Sequence, residues 1–276
     1  IMDIETGAVK MVSTGAGVTT CSFFLYPECE KVVYSSTHLG DKSCPKKPDY
    51  SKGYVWKLYP DYDIFLTDLR DKTIKRLTKS SGYDAEATVA FDGSKIIYTS
   101  MESGDLDIWT MDSNGLNKIQ LTSELGYDGG AFFNYDASKI VWRVYHPKSD
   151  NEIDQYKKLL KENSIRPMAL QIWTMNSDGS NKKQITNNNA ANFGPYFFPD
   201  GNSIIFSSNL HDEKGRDFDL YSIKVDGSNL ERITFFDGFD GFPMFSPSGK
   251  YLVFASNRNQ KKRGNTNLFL AEWNYQ

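Results

Sequence analysis

Apolar and polar residues alternate along this chain in short runs separated by polar turns. From Gly194 the stretch GPYFFPDGNSIIFSSN holds two such runs around a Pro-Asp-Gly turn, and from Asp219 the stretch DLYSIKVDGSNLERIT holds two more around an Asp-Gly turn. β-Branched and aromatic residues in runs this short, bounded by turn formers, predict strands. The second phrase recurs as DIFLTDLRDKTIKRLT from Asp63, DIWTMDSNGLNKIQLT from Asp107 and QIWTMNSDGSNKKQIT from Gln171, with a truncated NLFLAEW from Asn267. In chain order the spacings are 44, 64, 48 and 48 residues. A period in the 40s built from short β runs marks the blades of a propeller, not a helical array.

Each unit reads as four strands, a to d. In strand c both alternating sets are largely apolar, Ile108 with Thr110 and Trp109 with Met111, as a sheet packed on both faces requires. Complete units cover 20–78, 82–122, 126–186 and 190–234, while 238–273 supplies only a, b and c. The N-terminal IMDIETGAVKMVS reads as strand c, a Thr-Gly turn and strand d. Residues 1–13 therefore either close the last blade through Lys10–Ser13, giving five blades, or form part of a sixth. All of 1–276 is expected to be one all-β domain, a β-propeller of four-stranded antiparallel blades.

The stretches PYFFPDGNSIIFSSN, DLYSIKVDGSNLERIT and PMFSPSGKYLVFASNRN resemble the β-propeller repeats of TolB-type proteins, and the resemblance covers nearly the whole chain. It implies a ring of six blades, with a piece upstream of Ile1, a periplasmic or extracellular location, and a protein or peptide partner. TolB itself carries an α/β domain ahead of its propeller and works with a peptidoglycan-associated lipoprotein; these 276 residues contain no such domain, so that role is not expected. The chain starts at Ile1 without Met or a signal peptide, as a trimmed product would, and secretion rests on the resemblance.

Composition narrows the classes of function. The net charge is -3, and the 32 Lys and Arg residues are scattered, which gives no electrostatic reason to expect nucleic acid. No run approaches the about 18 apolar residues that span a bilayer, so membrane insertion is not expected. Cys21, Cys29 and Cys44 lack C-x-x-C spacing, leaving either a Cys21–Cys44 bridge with Cys29 unpaired or three reduced thiols.

All long inserts fall between strands b and c, at 38–62, 146–169, 209–218 and 257–266. Loops on a rigid scaffold are where binding usually resides. Within one insert, Ser149-x-x-Glu152 forms a capping-box pattern and Ile153, Tyr156, Leu159 and Leu160 share a helical face. A short helix is expected there, packing its apolar stripe on the blade below or serving as a lid.

Aligned on the a–b turn, the units place Thr20, Asp84, Asp128, Asn192 and Asp240 at the start of strand a, with Glu86 facing the same way as Asp84. Propeller symmetry would gather them at a channel mouth. Two carboxylates about 8 Å apart at an effective dielectric of about 20 repel by roughly 2 kcal/mol, so such a collar invites positive charge. Ca²⁺ at Asp84, Asp128 and Asp240 fits chemically; the alternative is that each Asp or Asn bonds backbone in its own turn. The b–c loops add His38, Glu102, His146 and Arg258, with Arg143 and His211 close by. Imidazoles gathered there could bind Zn²⁺ or Mn²⁺ or act as acid and base. No G-x-S-x-G, H-E-x-x-H or Walker sequence occurs. The leading expectation is a non-catalytic module that holds a protein segment, a cation or both. The alternatives are a metal-dependent lyase using the loop histidines, as in related propellers, and the propeller of a larger peptidase.

Overall fold

The recurring phrase folds as a recurring sheet. The computed structural model describes residues 1–46, 48, 53–167 and 169–274. The chain divides into two compact units, residues 1–123 with 149–166, and residues 124–148 with 167–276.

In the first unit the strands are β1 (Thr19–Leu25), β2 (Lys31–Ser36), β3 (Trp56–Lys57), β4 (Asp63–Asp68), β5 (Ile74–Arg76), β6 (Asp84–Val89), β7 (Lys95–Ser100), β8 (Asp107–Asp112) and β9 (Ile119–Gln120). They give two antiparallel four-stranded sheets, β1-β2-β4-β5 and β6-β7-β8-β9. The second unit holds β10 (Tyr127–Phe133) and β11 (Lys139–Tyr145). The chain then passes through α1 (Asp150–Lys161) and β12 (Ser164–Ile165), which pack in the first unit. Returning to the second unit, it forms β13 (Gln171–Asn176), β14 (Lys183–Gln184), β15 (Asn192–Phe197), β16 (Ser203–Ser208), β17 (Asp219–Lys224), β18 (Glu231–Arg232), β19 (Asp240–Phe245), β20 (Tyr251–Ser256) and β21 (Asn267–Glu272). Here β10-β11-β13-β14 and β15-β16-β17-β18 are four-stranded and β19-β20-β21 has three strands. The architecture is an all-β propeller of five blades.

In the four complete sheets the apolar residues of strand c are packed between neighbouring sheets. In the first unit Val33, Ile64, Leu66 and Leu77 of the first sheet meet Ala87, Val89, Ile96, Tyr98 and Met111 of the second. In the second unit Val141, Ile172 and Ile185 meet Phe197, Ile204, Phe206, Tyr221 and Ile223. Burying a side chain of this size contributes about 1.5–3 kcal/mol, so sheet-on-sheet contact dominates stability within each unit.

The fixed letters of the phrase each have a structural task. At the start of strand c, the second residue's amide donates to a threonine hydroxyl at the end of strand d: Ile64 to Thr78 at 2.9 Å, Ile108 to Thr122 at 2.8 Å, Ile172 to Thr186 at 2.9 Å and Leu220 to Thr234 at 2.9 Å. That hydroxyl then donates to the residue that opens strand c: Asp63 at 3.4 Å, Asp107 at 3.1 Å, Gln171 at 2.9 Å and Asp219 at 2.9 Å. One Thr thus joins two strands and satisfies a buried polar group.

The insert helix forms as its capping box predicts, with Ser149 and Glu152 bonded reciprocally and Tyr156 buried. The Tyr156 hydroxyl donates to Asp105 and β12 pairs with β3, so the insert is tied down by its apolar stripe and by strand pairing. Residues 1–10 form a hairpin, with Met2 bridged to Val9 and Lys10 N–H donating to the Ile1 carbonyl at 2.8 Å. Val12 packs on Val32, Tyr34 and Phe65 of the first sheet. No disulfide joins Cys21 and Cys44; the Cys44 thiol donates instead to the Gly17 carbonyl, 3.5 Å away.

Candidate functional site

In four of the five sheets the polar residue at the start of the inner strand lies inside its sheet; in the first, that register opposite Ser36 falls on exposed Thr19 and not on Thr20. Asp84 is 1 % exposed, and Asp128, Asn192 and Asp240 are fully buried. Asp84, Asp128 and Asn192 are satisfied by nearby side chains, whereas Asp240 is paired only through Oδ2, its buried Oδ1 having no hydrogen-bond partner among the described residues. The Ser100 hydroxyl donates to Asp84 at 2.5 Å and the Ser208 hydroxyl to Asn192 at 2.8 Å. Trp142 Nε1 donates to Asp128 at 2.6 Å, and the Arg258 guanidinium pairs with Asp240. His146 Nε2 lies 3.0 Å from the second Asp128 oxygen, while its Nδ1 lies 3.2 Å from Glu124. The b–c residues His146 and Arg258 are therefore partners of the acids that open their own blades, not a second layer of ligands shared between blades.

This geometry departs from an open negative collar. The partners of these carboxylates are side chains of their own sheets and loops, not the backbone amides of their turns that the alternative expected. Among the described residues no three His, Cys, Asp or Glu side chains gather as a metal ion would need. The Ca²⁺ assignment to Asp84, Asp128 and Asp240 lacks that grouping, and so does a metal shared by histidines. His38 Nδ1 sits 3.0 Å from the Ser36 hydroxyl with its ring on Phe65, and burial, helped by the charge of Arg76, lowers its pKa. His211 Nδ1 lies 3.2 Å from the Tyr221 hydroxyl and its Nε2 lies 3.3 Å from Asp219. Arg143 is buried, donating to the Tyr127 hydroxyl at 2.8 Å and lying over that ring. Exposed Glu102 faces Lys118 at 3.7 Å, and the Thr20 hydroxyl touches the Cys21 thiol at 3.3 Å.

Burial pushes the Asp84 carboxyl above its usual 3.8, and the Ser100 and Ser80 hydroxyls pull it part of the way back. Burial likewise raises Asp128 against the pull of His146 and Trp142. A carboxyl that holds its proton more tightly when folded contributes most below its unfolded value of 3.8, and that contribution is lost as pH rises through the folded value. Asn192 shows that an amide fits the same place with the same serine bond. Asp84→Asn is therefore expected to match or exceed the parent in thermal melts at neutral pH, and to lessen the loss of stability as pH rises above 3.8. A parent clearly more stable than the variant at pH 7 would contradict this.

Every inner strand also carries a β-bulge, with register shifts between Thr20 and Phe23, Ala85 and Thr88, Gly129 and Phe132, Phe193 and Tyr196, and Gly241 and Met244. The residue inside each shift is left-handed: Cys21 at φ 50°, Glu86 at 59°, Gly130 at 60°, Gly194 at 58° and Phe242 at 55°. Bulges re-aim side chains. Glu86 therefore does not share the buried position of Asp84: it is partly exposed and accepts from the Thr99 hydroxyl at 2.9 Å.

Phe242 is the unexpected member of this set. A bulky residue at positive φ is a genuine outlier, costing of order 1–3 kcal/mol. Its amide is held by the Ser207 hydroxyl at 3.0 Å, and its side chain is 49 % exposed. Beneath it lie Phe193, Phe218 and Phe239, with Phe193 5.2 Å and Phe239 6.1 Å from the Phe242 ring. Gly194 makes room for Phe242, because a Cβ there would meet the Phe242 Cα at 3.3 Å. Nearby in sequence, Phe235 is 73 % exposed under the Arg232 guanidinium, and Phe236 is covered by Arg258. The density of phenylalanine in FFDGFDGF, residues 235–242, was the sequence signal for this patch.

Sheets of this topology, with this internal repeat, define a β-propeller. Residues 157–269 match the TolB beta propeller domain family. The fold is similar to that of a putative TolB from Agrobacterium tumefaciens, with a TM-score of 0.67 and 20 % identity, covering 98 % of this chain and 83 % of that one. TolB from Acinetobacter baumannii aligns with a TM-score of 0.61 and 18 % identity over 82 % of this chain and 51 % of its own. An acylaminoacyl peptidase aligns with a TM-score of 0.53 and 14 % identity over 92 % of this chain and 38 % of its own. The chain shares the β-propeller fold of these proteins, and its residues 157–269 carry the match to the TolB propeller family. Among the described residues no helix is long and apolar enough to cross a membrane.

Proposed function

We propose that the chain is a non-catalytic binding propeller, working in the periplasm or outside the cell, that captures an extended segment of a protein partner. The observation that carries this reading is Phe242: a large aromatic side chain held half exposed, in a strained conformation, against buried Phe193 and partly buried Phe239. Strain that the surrounding structure enforces is characteristic of binding and switch sites, and aromatic side chains are enriched among interface hot spots. Phe235 and Leu210 are further exposed apolar side chains of the second unit. The TolB-like fold supports a protein partner. Its periplasmic location is inferred from the same resemblance.

A photo-crosslinking amino acid in place of Phe242 is expected to trap a protein from native extract. The same group in place of Leu116, 63 % exposed in a c–d turn of the first unit, is the control and is expected to trap none. Equal trapping at the two positions would reject the assignment. The likeness to the acylaminoacyl peptidase favours, as a second reading, the propeller of a larger peptidase. Coding sequence adjoining this one distinguishes the two.

A further inference from the structure

The c–d turns of the four complete sheets are closed by the same bonds, and one of them carries a different residue at its tip. In the first, third and fourth sheets an aspartate accepts the amide two residues on: Asp71 from Thr73 at 2.8 Å, Asp178 from Ser180 at 2.9 Å and Asp226 from Ser228 at 2.9 Å. In the second sheet exposed Asn114 takes that place, its Oδ1 accepting from the Leu116 amide at 2.9 Å. The next residue's amide donates back to the end of strand c, as Lys72 does to Asp68 at 3.0 Å, Gly115 to Asp112 at 2.8 Å, Gly179 to Asn176 at 2.9 Å and Gly227 to Lys224 at 2.8 Å. Asn114 and Gly115 form the only Asn-Gly pair in the sequence.

That pair holds the reactants of an intramolecular acyl transfer. The Gly115 nitrogen follows Asn114 directly in the chain, so its attack on the side-chain Cγ closes a five-membered ring, with the advantage of proximity. Gly115 has no Cβ to crowd the approach, and its φ of 88° is one that glycine adopts freely. The Leu116 amide, already bonded to Oδ1, is a donor to the oxyanion that forms there during attack. Asn114 is exposed, so its amide nitrogen leaves into solvent. The turn also restrains the reaction. The Gly115 N–H is bonded to Asp112, and the Asp112 amide closes the turn on the Leu116 carbonyl at 2.8 Å, so the ring forms when the turn opens locally.

We propose that Asn114-Gly115 is a self-modifying site, where the chain converts Asn114 to aspartate without an enzyme. The Gly115 nitrogen gives its proton to hydroxide and bonds to Cγ as the Cγ–Nδ2 bond breaks, releasing ammonia and leaving a succinimide. Water then cleaves the new nitrogen–Cγ bond, which restores the peptide with a carboxylate on the side chain. Cleavage of the other ring bond, from that nitrogen to the backbone carbonyl carbon, gives isoaspartate, which adds a methylene to the main chain of a closed turn. The fold selects aspartate, because Asp71, Asp178 and Asp226 hold that place with the same bond. The net charge of -3 gains one negative unit, beside the Lys75 ammonium that donates to the Asn114 backbone carbonyl at 2.8 Å.

The test is peptide mapping by mass spectrometry of the full chain held in mildly alkaline buffer, folded and in urea. In the folded chain Asn114 is expected to be the first asparagine converted, to aspartate as the main product, at a rate that rises with pH. In urea the same residue is expected to react about tenfold or more faster, giving aspartate and isoaspartate together. Gly115→Ala, compared with the parent in urea so that folding plays no part, is expected to react at least about tenfold more slowly. Asn114→Asp, which supplies the product directly, is expected to melt at the parent's temperature. The proposal fails if another asparagine of the folded chain converts first, or if Asn114 stays intact there after the urea sample has fully converted. It also fails if isoaspartate is the main product in the folded chain, if Gly115→Ala reacts as fast as the parent, or if Asn114→Asp melts clearly lower.

Discussion

Gly93→Ala is expected to destabilise the protein by about 3 kcal/mol or more, while Gly201→Ala, at the corresponding turn of the fourth sheet, is expected to cost only about 1 kcal/mol. Both glycines close an a–b turn at positive φ, 71° and 67°, where an L side chain is disfavoured. They differ in surroundings. A Cβ at Gly93 would lie 1.9 Å from the Tyr26 carbonyl oxygen and 3.0 Å from its carbon, whereas at Gly201 nothing lies within 4 Å. The Tyr26 ring stacks on Phe91 with centroids 5.0 Å apart, so in the first unit the turns of neighbouring sheets are packed together and the clash falls on backbone. In a protein of this size the alanine at 93 should lower the melting temperature by roughly 6–12 °C and the alanine at 201 by roughly 2–4 °C. Equal losses would mean that these turns are not in contact.

Much of the fold was legible because the repeated phrase is physical. The Asp or Gln and the Thr that bracket strands c and d are two ends of one hydrogen-bonded clasp, and the apolar residues on both faces of strand c are what two neighbouring sheets require. Ser149 and Glu152 announced a helix by their capping chemistry alone. The site was less legible. Repeat symmetry correctly declared Asp84, Asp128, Asn192 and Asp240 equivalent, but equivalence does not say where a side chain points. The partners that turn them inward, Ser100, Trp142 with His146, Ser208 and Arg258, come from a different strand or loop and differ from blade to blade. The bulge was hidden for a related reason. Gly130 and Gly194 hint at positive φ, but Cys21, Glu86 and Phe242 carry no such mark, and one extra residue breaks the alternation by which Glu86 was expected to follow Asp84.

We propose a division of labour: the buried acids serve the interior of their blades, and the exposed phenylalanines of the second unit bind the partner. Phe235 and Phe242 are 73 % and 49 % exposed, so polar replacements there remove contact surface with little effect on folding, whereas the acids have no surface to offer. The most direct measurement is the calorimetric affinity of the partner, purified by capture on the parent chain, for three forms of the protein: parent, Phe235→Ser/Phe242→Ser, and Asp84→Asn/Asp128→Asn/Asp240→Asn. The account predicts that the phenylalanine pair weakens binding more than about tenfold at an unchanged melting temperature, while the asparagine triple stays within about threefold of the parent. The reverse order, with affinity lost in the triple and kept in the pair, would contradict it.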